Sequence, residues 1–386
     1  MKMKTKRGKL VRALSMALGV GCGLLMAAVA FGMEGMHLLN YLVMLAVLLW
    51  LFIFSTIIHE CGHLIGGLKS GYRFVKFSIG ALTWMKAEGG KVRFARIKTP
   101  GAAGQCLMSP PELIDGVMPF AAYHLSGVIA NGIAAVVSGV VGWIVWAGAP
   151  TAALIWWMFA LINVIGVVTN GIPLPGEALN NDGYNYQSMC EDKDAIALSW
   201  RELKIAEQNF RGVAVKDMPE EWFFLPTDEQ MKNNPRYANA GLYYYSRLVG
   251  NDRIEEAAQV IERMLEIDAA VSGMQKLLMR VDLARCEMLG QRRLEVIQRL
   301  LNAETRKLMK QLKKSLFVPQ TEYMYAALVE HDEDRMAMFE AQFEKVAKHY
   351  PIQSDVERAR EEMAKIREQM RSEEAPTGKI TISFED

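Results

Sequence analysis

The chain has 386 residues, with 44 Lys+Arg against 43 Asp+Glu and a formal net charge of +1. That balance lacks the basic surplus on which nucleic-acid binding draws, so nucleic acid is not an expected partner. Five scattered cysteines without a C-x-x-C pair make no disulfide framework and are read as reduced, packing residues.

The average hides a division, because residues 10 to about 172 run as long apolar stretches and the sequence from about 191 is charged and helical in pattern. Four stretches meet the ~20-residue length that crosses a bilayer: roughly 10–32, 38–67, 119–148 and 151–172. The first follows MKMKTKRGK, but it is longer than a signal-peptide core and FGMEGMHLL offers a poor cleavage site, so it is expected to be retained as a helix.

The second stretch ends in STIIHECGHLIGG, which places His59, Glu60 and His63 in an H-E-x-x-H pattern. On a helix, positions i and i+4 share a face, so both imidazoles can reach one zinc ion while Glu60 stays beside them as acid or base. Ionisable groups are costly at membrane depth and mark functional sites there. A catalytic zinc takes three protein ligands and leaves a position open. The third is expected from another stretch at the same membrane level. Cys61, inside the motif, is expected on the far face as a small apolar residue.

The 68–118 connection carries Lys69, Arg73, Lys76, Lys86, Lys91, Arg93, Arg96 and Lys98, and the N-terminus carries Lys2, Lys4, Lys6, Arg7 and Lys9, while 33–37 and 148–151 carry no Lys or Arg. By the positive-inside bias, both termini, the 68–118 loop and the C-terminal domain face the cytoplasm of a multi-pass protein in the cell membrane. Strands with a hairpin turn at Glu88-Gly89-Gly90 are predicted within 72–97, where an exposed edge could add an unwound substrate strand or simply cover the site. TPGAAGQCLMSPP, 99–111, reads as turn chemistry.

The third stretch contains HLSGVIANG, with Gly127 and Asn131. The fourth ends in NVIGVVTNGIPLPGEALNNDGYN, where Asn170, Pro173 and Pro175 precede Asp182-Gly183 and the prolines stop the helix. Glu177 competes with Asp182 as the third ligand, and the glycine after Asp182 suits a carboxylate on a tight turn.

H-E-x-x-H in one apolar helix, G-x-x-x-N in the next and N-x-x-P with D-G at the end of a third resemble the site-2 protease family of intramembrane zinc metallopeptidases, over roughly residues 38–187. The resemblance implies one Zn2+ per chain held by His59, His63 and Asp182, with Glu60 as the catalytic acid/base. It also implies substrate or oxyanion contacts from Asn131 and Asn170. Asp182 falls later after Pro173 than in the usual family pattern, and Asn181 stands where the family has leucine. The implied activity is hydrolysis of a peptide bond in a transmembrane or membrane-associated protein or peptide near the cytoplasmic face. The alternative is a non-catalytic membrane-anchored binding protein on the same fold.

After Cys190, amphipathic helices are predicted at about 192–210, 236–249, 253–267, 272–289, 291–314, 320–331, 333–349 and 354–373. Their pairing is similar to tetratricopeptide-type hairpins, which implies a groove for a protein partner. The expected organisation is an α-helical membrane protein: a transmembrane metalloprotease domain over 1–190 with a small β-hairpin region, an all-α helical domain over 191–373, and a flexible tail over 374–386.

Overall fold

The computed structural model describes residues 2–32, 37–86, 90–97, 102–175, 180–348, 350 and 353–374. Those residues divide into two compact units that meet in sequence at Phe210 and Arg211.

The first unit opens with α1 (Lys2–Gly32) and α2 (His37–Lys69). After α2 the chain turns through Ser70 and Gly71, with Tyr72 N–H donating to Gly67 O and Gly71 N–H to Leu68 O. Gly71 sits at φ +83°, the left-handed position at which this helix ending requires glycine. Strands β1 (Arg73–Ile79), β2 (Leu82–Lys86), β3 (Val92–Arg96) and β4 (Gly104–Ser109) follow. They form an antiparallel sheet in the order β3-β2-β1-β4.

Three expected strands lie within 72–97, and Glu88 and Gly89 of the predicted turn fall outside the described residues. The turn reading of 99–111 is corrected, because β4 occupies 104–109 of it. Its pairing partner is β1, some thirty residues earlier, and such pairing leaves no local periodicity to read.

Helices α3 (Phe120–Val145) and α4 (Pro150–Gly171) complete the apolar part. Pro150 begins α4 at a position where its missing N–H costs nothing. Four helical segments, Gly8–Gly32, Leu38–Lys69, Phe120–Val145 and Pro150–Gly171, are long and apolar enough to cross a membrane. Gly62 and Gly66 of α2 let α3 approach closely: a Cβ at Gly62 would lie 2.5 Å from Ser126 O and one at Gly66 2.6 Å from Ala122 O.

Helices α5 (Asp182–Glu191) and α6 (Lys193–Phe210) belong to this unit, so the boundary lies at 210 rather than the expected 190. The reason is tertiary. Trp200 Nε1 donates to Pro111 O at 2.9 Å, Lys204 pairs with Glu112 at 2.7 Å, and the buried Glu207 accepts from Ser109 Oγ, all of which fasten α6 to the segment around β4.

The second unit is all α: α7 (Asp228–Asn233), α8 (Pro235–Gly250), α9 (Ile254–Glu266), α10 (Gly273–Leu289), α11 (Leu294–Leu300), α12 (Ala303–Gln311), α13 (Phe317–Tyr325), α14 (Glu333–Ala347) and α15 (Gln353–Glu374). Helix α8 packs on α9, α9 on α10 and α13 on α14, in keeping with paired helices. The helix expected over 291–314 is two, because Asn302 breaks it and caps α12 by accepting from Thr305 N–H. The short α7, closed by a capping box at Thr227 and Gln230, was not anticipated. Of the expected tail over 374–386, Glu374 is the last residue of α15 and 375–386 lie outside the described residues.

Candidate metal centre

His59 and His63 lie one turn apart on α2, and their Nε2 atoms face each other at 3.1 Å. Asp182 Oδ2 completes the triangle, 3.1 Å from His59 Nε2 and 3.3 Å from His63 Nε2. The rings are held from behind. His59 Nδ1 meets Asn131 Oδ1 at 2.6 Å, and His63 Nδ1 meets the Tyr123 carbonyl at 2.7 Å.

Those partners fix the protonation. Tyr123 O can only accept. The Asn131 amide is oriented by its Nδ2, which donates to Asn163 Oδ1 at 2.7 Å and Ser55 Oγ at 3.1 Å, so its oxygen faces His59. Both Nδ1 atoms therefore donate, and both Nε2 lone pairs converge with a carboxylate oxygen on one point.

Three such atoms at hydrogen-bond distance repel one another unless a proton or a metal ion lies between them. Metal-ligand bonds of about 2.0 Å in tetrahedral geometry separate ligand atoms by about 3.3 Å, which matches the observed triangle. Two imidazoles and a carboxylate are also a ligand set used by catalytic zinc. The residues present fit the metal.

Asp182 reaches the histidines through a specific knot. Helix α4 stops at Gly171, and Asn181 ties the return of the chain: its Nδ2 donates to Thr169 O at 2.8 Å and Ile172 O at 2.7 Å, and its Oδ1 accepts from Leu174 N–H at 3.0 Å and Tyr184 N–H at 2.9 Å. The last bond caps α5, at whose first position Asp182 stands. Gly183 is required by contact, since a Cβ there would lie 2.2 Å from Gly171 O. The competing Glu177 falls outside the described residues.

Glu60 is buried beside the triangle and covered by β4. A Cβ at Gly104 would lie 2.8 Å from Glu60 Oε1 and 2.8 Å from Thr56 Cγ2, so only glycine lets the strand pass. The Cys106 backbone N–H donates to the Glu60 carboxylate, and Tyr123 Oη donates to Cys106 O at 2.8 Å. Cys61 is half-buried and is not part of the ligand group.

Comparison with family models, with curated proteins and with solved structures gave no match.

Among the expected site residues, His59, His63, Glu60 and Asp182 come together. Asn131 lies there too, 1% exposed, with both ends of its amide engaged behind His59. Asn170 donates to Gly166 O at 3.1 Å within its own helix.

Sequence reading missed Ser55, Asn163 and Asn181. Ser55 precedes His59 by one turn, and Asn163 is a buried amide in an apolar helix, a placement costly enough to have flagged it. Asn131→Ala and Asn181→Ala should each weaken metal binding by about 10–100-fold, the usual effect of losing a group that orients a ligand. Competition against a chelating dye of known zinc affinity measures it. Unchanged affinity in both would mean that the ligands are positioned by packing alone.

Proposed function

We propose that this chain is an integral-membrane zinc endopeptidase of the site-2 protease type, hydrolysing a peptide bond of a transmembrane or membrane-associated protein or peptide near the cytoplasmic face of the cell membrane. The observation that carries this reading is the convergence of His59 Nε2, His63 Nε2 and Asp182 Oδ2, with Glu60 next to them, on helices apolar enough to span a bilayer.

His59, His63 and Asp182 would hold the zinc, which when bound would supply a Lewis acid and lower the pKa of a water molecule to about 7. Glu60 takes a proton from the attacking water and passes it to the leaving amine. Asn131 and Tyr123 keep the two imidazoles in the tautomer that leaves Nε2 free. Gly104 and Cys106 of β4 form the wall over Glu60.

A substrate helix has to unwind before its carbonyls can be attacked, and the sheet offers β3 and β4 as edges for an added strand. Edge β4 lies nearer the chemistry. Addition at Cys106 there displaces the bonds its N–H and C=O make with Glu60 and Tyr123, so substrate entry and release of Glu60 are one event in this reading. The helical unit is proposed as the docking module for a protein partner.

Metal removal tests the reading. The purified protein, reconstituted with single-span membrane proteins, should generate new termini detectable by mass spectrometry. o-Phenanthroline should stop their appearance, and one equivalent of zinc should restore it. Termini that keep forming after complete metal removal would overturn the assignment.

A further inference from the structure

The sheet has a face turned away from Glu60. Register pairs Phe77 with Cys106 and Ile79 with Gly104 on the side of the site, which puts Lys76, Ser78, Gln105 and Leu107 on the other. Helix α6 packs there, and with it an ammonium group that the chemistry above does not use. Lys76 is 3% exposed. Its Nζ donates to Gln105 Oε1 at 2.7 Å and lies 5.2 Å from the centre of the ring of Phe210, the last residue of α6. One turn earlier on that helix, Glu207 is 2% exposed and accepts from Ser109 Oγ. A cation and a carboxylate are thus buried between sheet and helix, where methionine or leucine would pack without the cost of desolvation.

Buried charged groups add little net stability once desolvation is counted, but their bonds are satisfied in one alignment only. The alignment at stake here is that of β4. Gln105 stands between Gly104, which passes against Glu60, and Cys106, whose N–H donates to the Glu60 carboxylate. Because successive residues of a strand face opposite ways, a side chain held on the far face fixes where its neighbours stand over the site. The strand needs such a hold. It is an edge strand, paired on one side only, and glycine at 104 gives its first residue no side chain to pack. Contacts therefore run without a gap from Phe210 through Lys76 and Gln105 to the two residues that touch Glu60.

We propose that Lys76 is a positioning residue for peptide hydrolysis, fixing β4 over Glu60 through Gln105, with the last turn of α6 as its support. This deepens the endopeptidase reading above and rests on it. A substrate that adds at β4 meets the strand before any bond is cleaved, so the effect of Lys76 falls on substrate docking and leaves the chemical step to Glu60. Phe210 closes the first unit, so the strand over the site is set by a contact at the boundary with the helical unit.

Lys76→Met keeps an unbranched apolar stem and removes the charge. The full chain carrying it is compared with wild type for zinc content, for KM and kcat on a single-span membrane protein cleaved in the assay above, and for amide hydrogen exchange across residues 104–109. The variant should hold zinc and keep kcat, raise KM by about tenfold, as expected for a lost hydrogen bond to a charged group, and exchange faster in β4 while β2 is unchanged. Gln105→Leu should do the same, and the double variant should do no more than either alone. Lys91→Met, at an exposed position, is the control and should match wild type throughout. Wild-type KM and wild-type β4 exchange in Lys76→Met would overturn the proposal, as would additive effects of the two variants, since the residues would then act apart. Loss of zinc or of kcat with KM unchanged would also overturn it, placing the effect on the metal centre or the fold. A wild type that cleaves nothing would remove the endopeptidase reading, and exchange across β4 would still decide whether Lys76 holds the strand.

Discussion

Glu60→Gln is expected to keep about one metal ion per chain and to lose peptide cleavage by about 10²–10⁴-fold, the usual contribution of a positioned acid/base. Glutamine has the shape of the residue it replaces and retains an oxygen to accept from the Cys106 N–H, so β4 should stay in place. The three ligand atoms belong to other residues. What the variant lacks is the ability to take a proton from water and give it to an amine. Metal content by mass spectrometry and counts of new substrate termini, taken on the same preparation, separate the two effects. Undiminished cleavage by a metal-loaded Glu60→Gln protein would rule out the acid/base role. Loss of the metal together with activity would instead make Glu60 part of the binding site.

The second large effect should come from a single methyl group. Gly127→Ala places a Cβ 2.5 Å from His63 Nε2 and 2.9 Å from His59 Cε1, inside the space where a metal held by the two rings would lie. Neither ring can swing aside without breaking its Nδ1 bond to Asn131 or Tyr123. Nor can α3 withdraw cheaply, since Gly62 already brings α2 within contact of Ser126 and Gly127. Alanine is a better helix former than glycine by about 1 kcal/mol, so helix formation is not the casualty. Metal binding should fall by more than the ~100-fold expected for the asparagines behind the site. Gly132→Ala, whose nearest neighbour would be Val167 Cγ2 at 3.9 Å, is the matched control and should bind normally. Equal metal affinity in both alanine variants would mean that the helices adjust freely at the site.

Much of this site was legible in the sequence because its chemistry is local. His59, Glu60 and His63 lie within five residues on one apolar helix, and the cost of burying them there announces a function. Asp182 could be anticipated from the helix-stopping prolines and the glycine that follows it. What was not legible depends on contacts between distant segments. Strand β4 hides among glycines and prolines until β1 pairs with it. Helix α6 reads as the start of the soluble half until Trp200, Lys204 and Glu207 fasten it to the chain around β4. Asn131 was recognised as belonging to the site, but its role follows from which way its amide points, and Ser55 and Asn163 decide that. Asn181 looked like a departure from a familiar pattern. In the fold it makes the four bonds that return Asp182 to the histidines.

Zinc content tests the central claim most directly, measured on detergent-purified wild type, His59→Ala and Asp182→Ala proteins of matched helicity. About one zinc per chain in the wild type, lost in His59→Ala and lost or sharply weakened in Asp182→Ala, is the result expected of a three-ligand catalytic site. A well-folded wild-type protein that takes up no zinc when it is supplied, or variants that hold it as tightly as the wild type, would contradict the account.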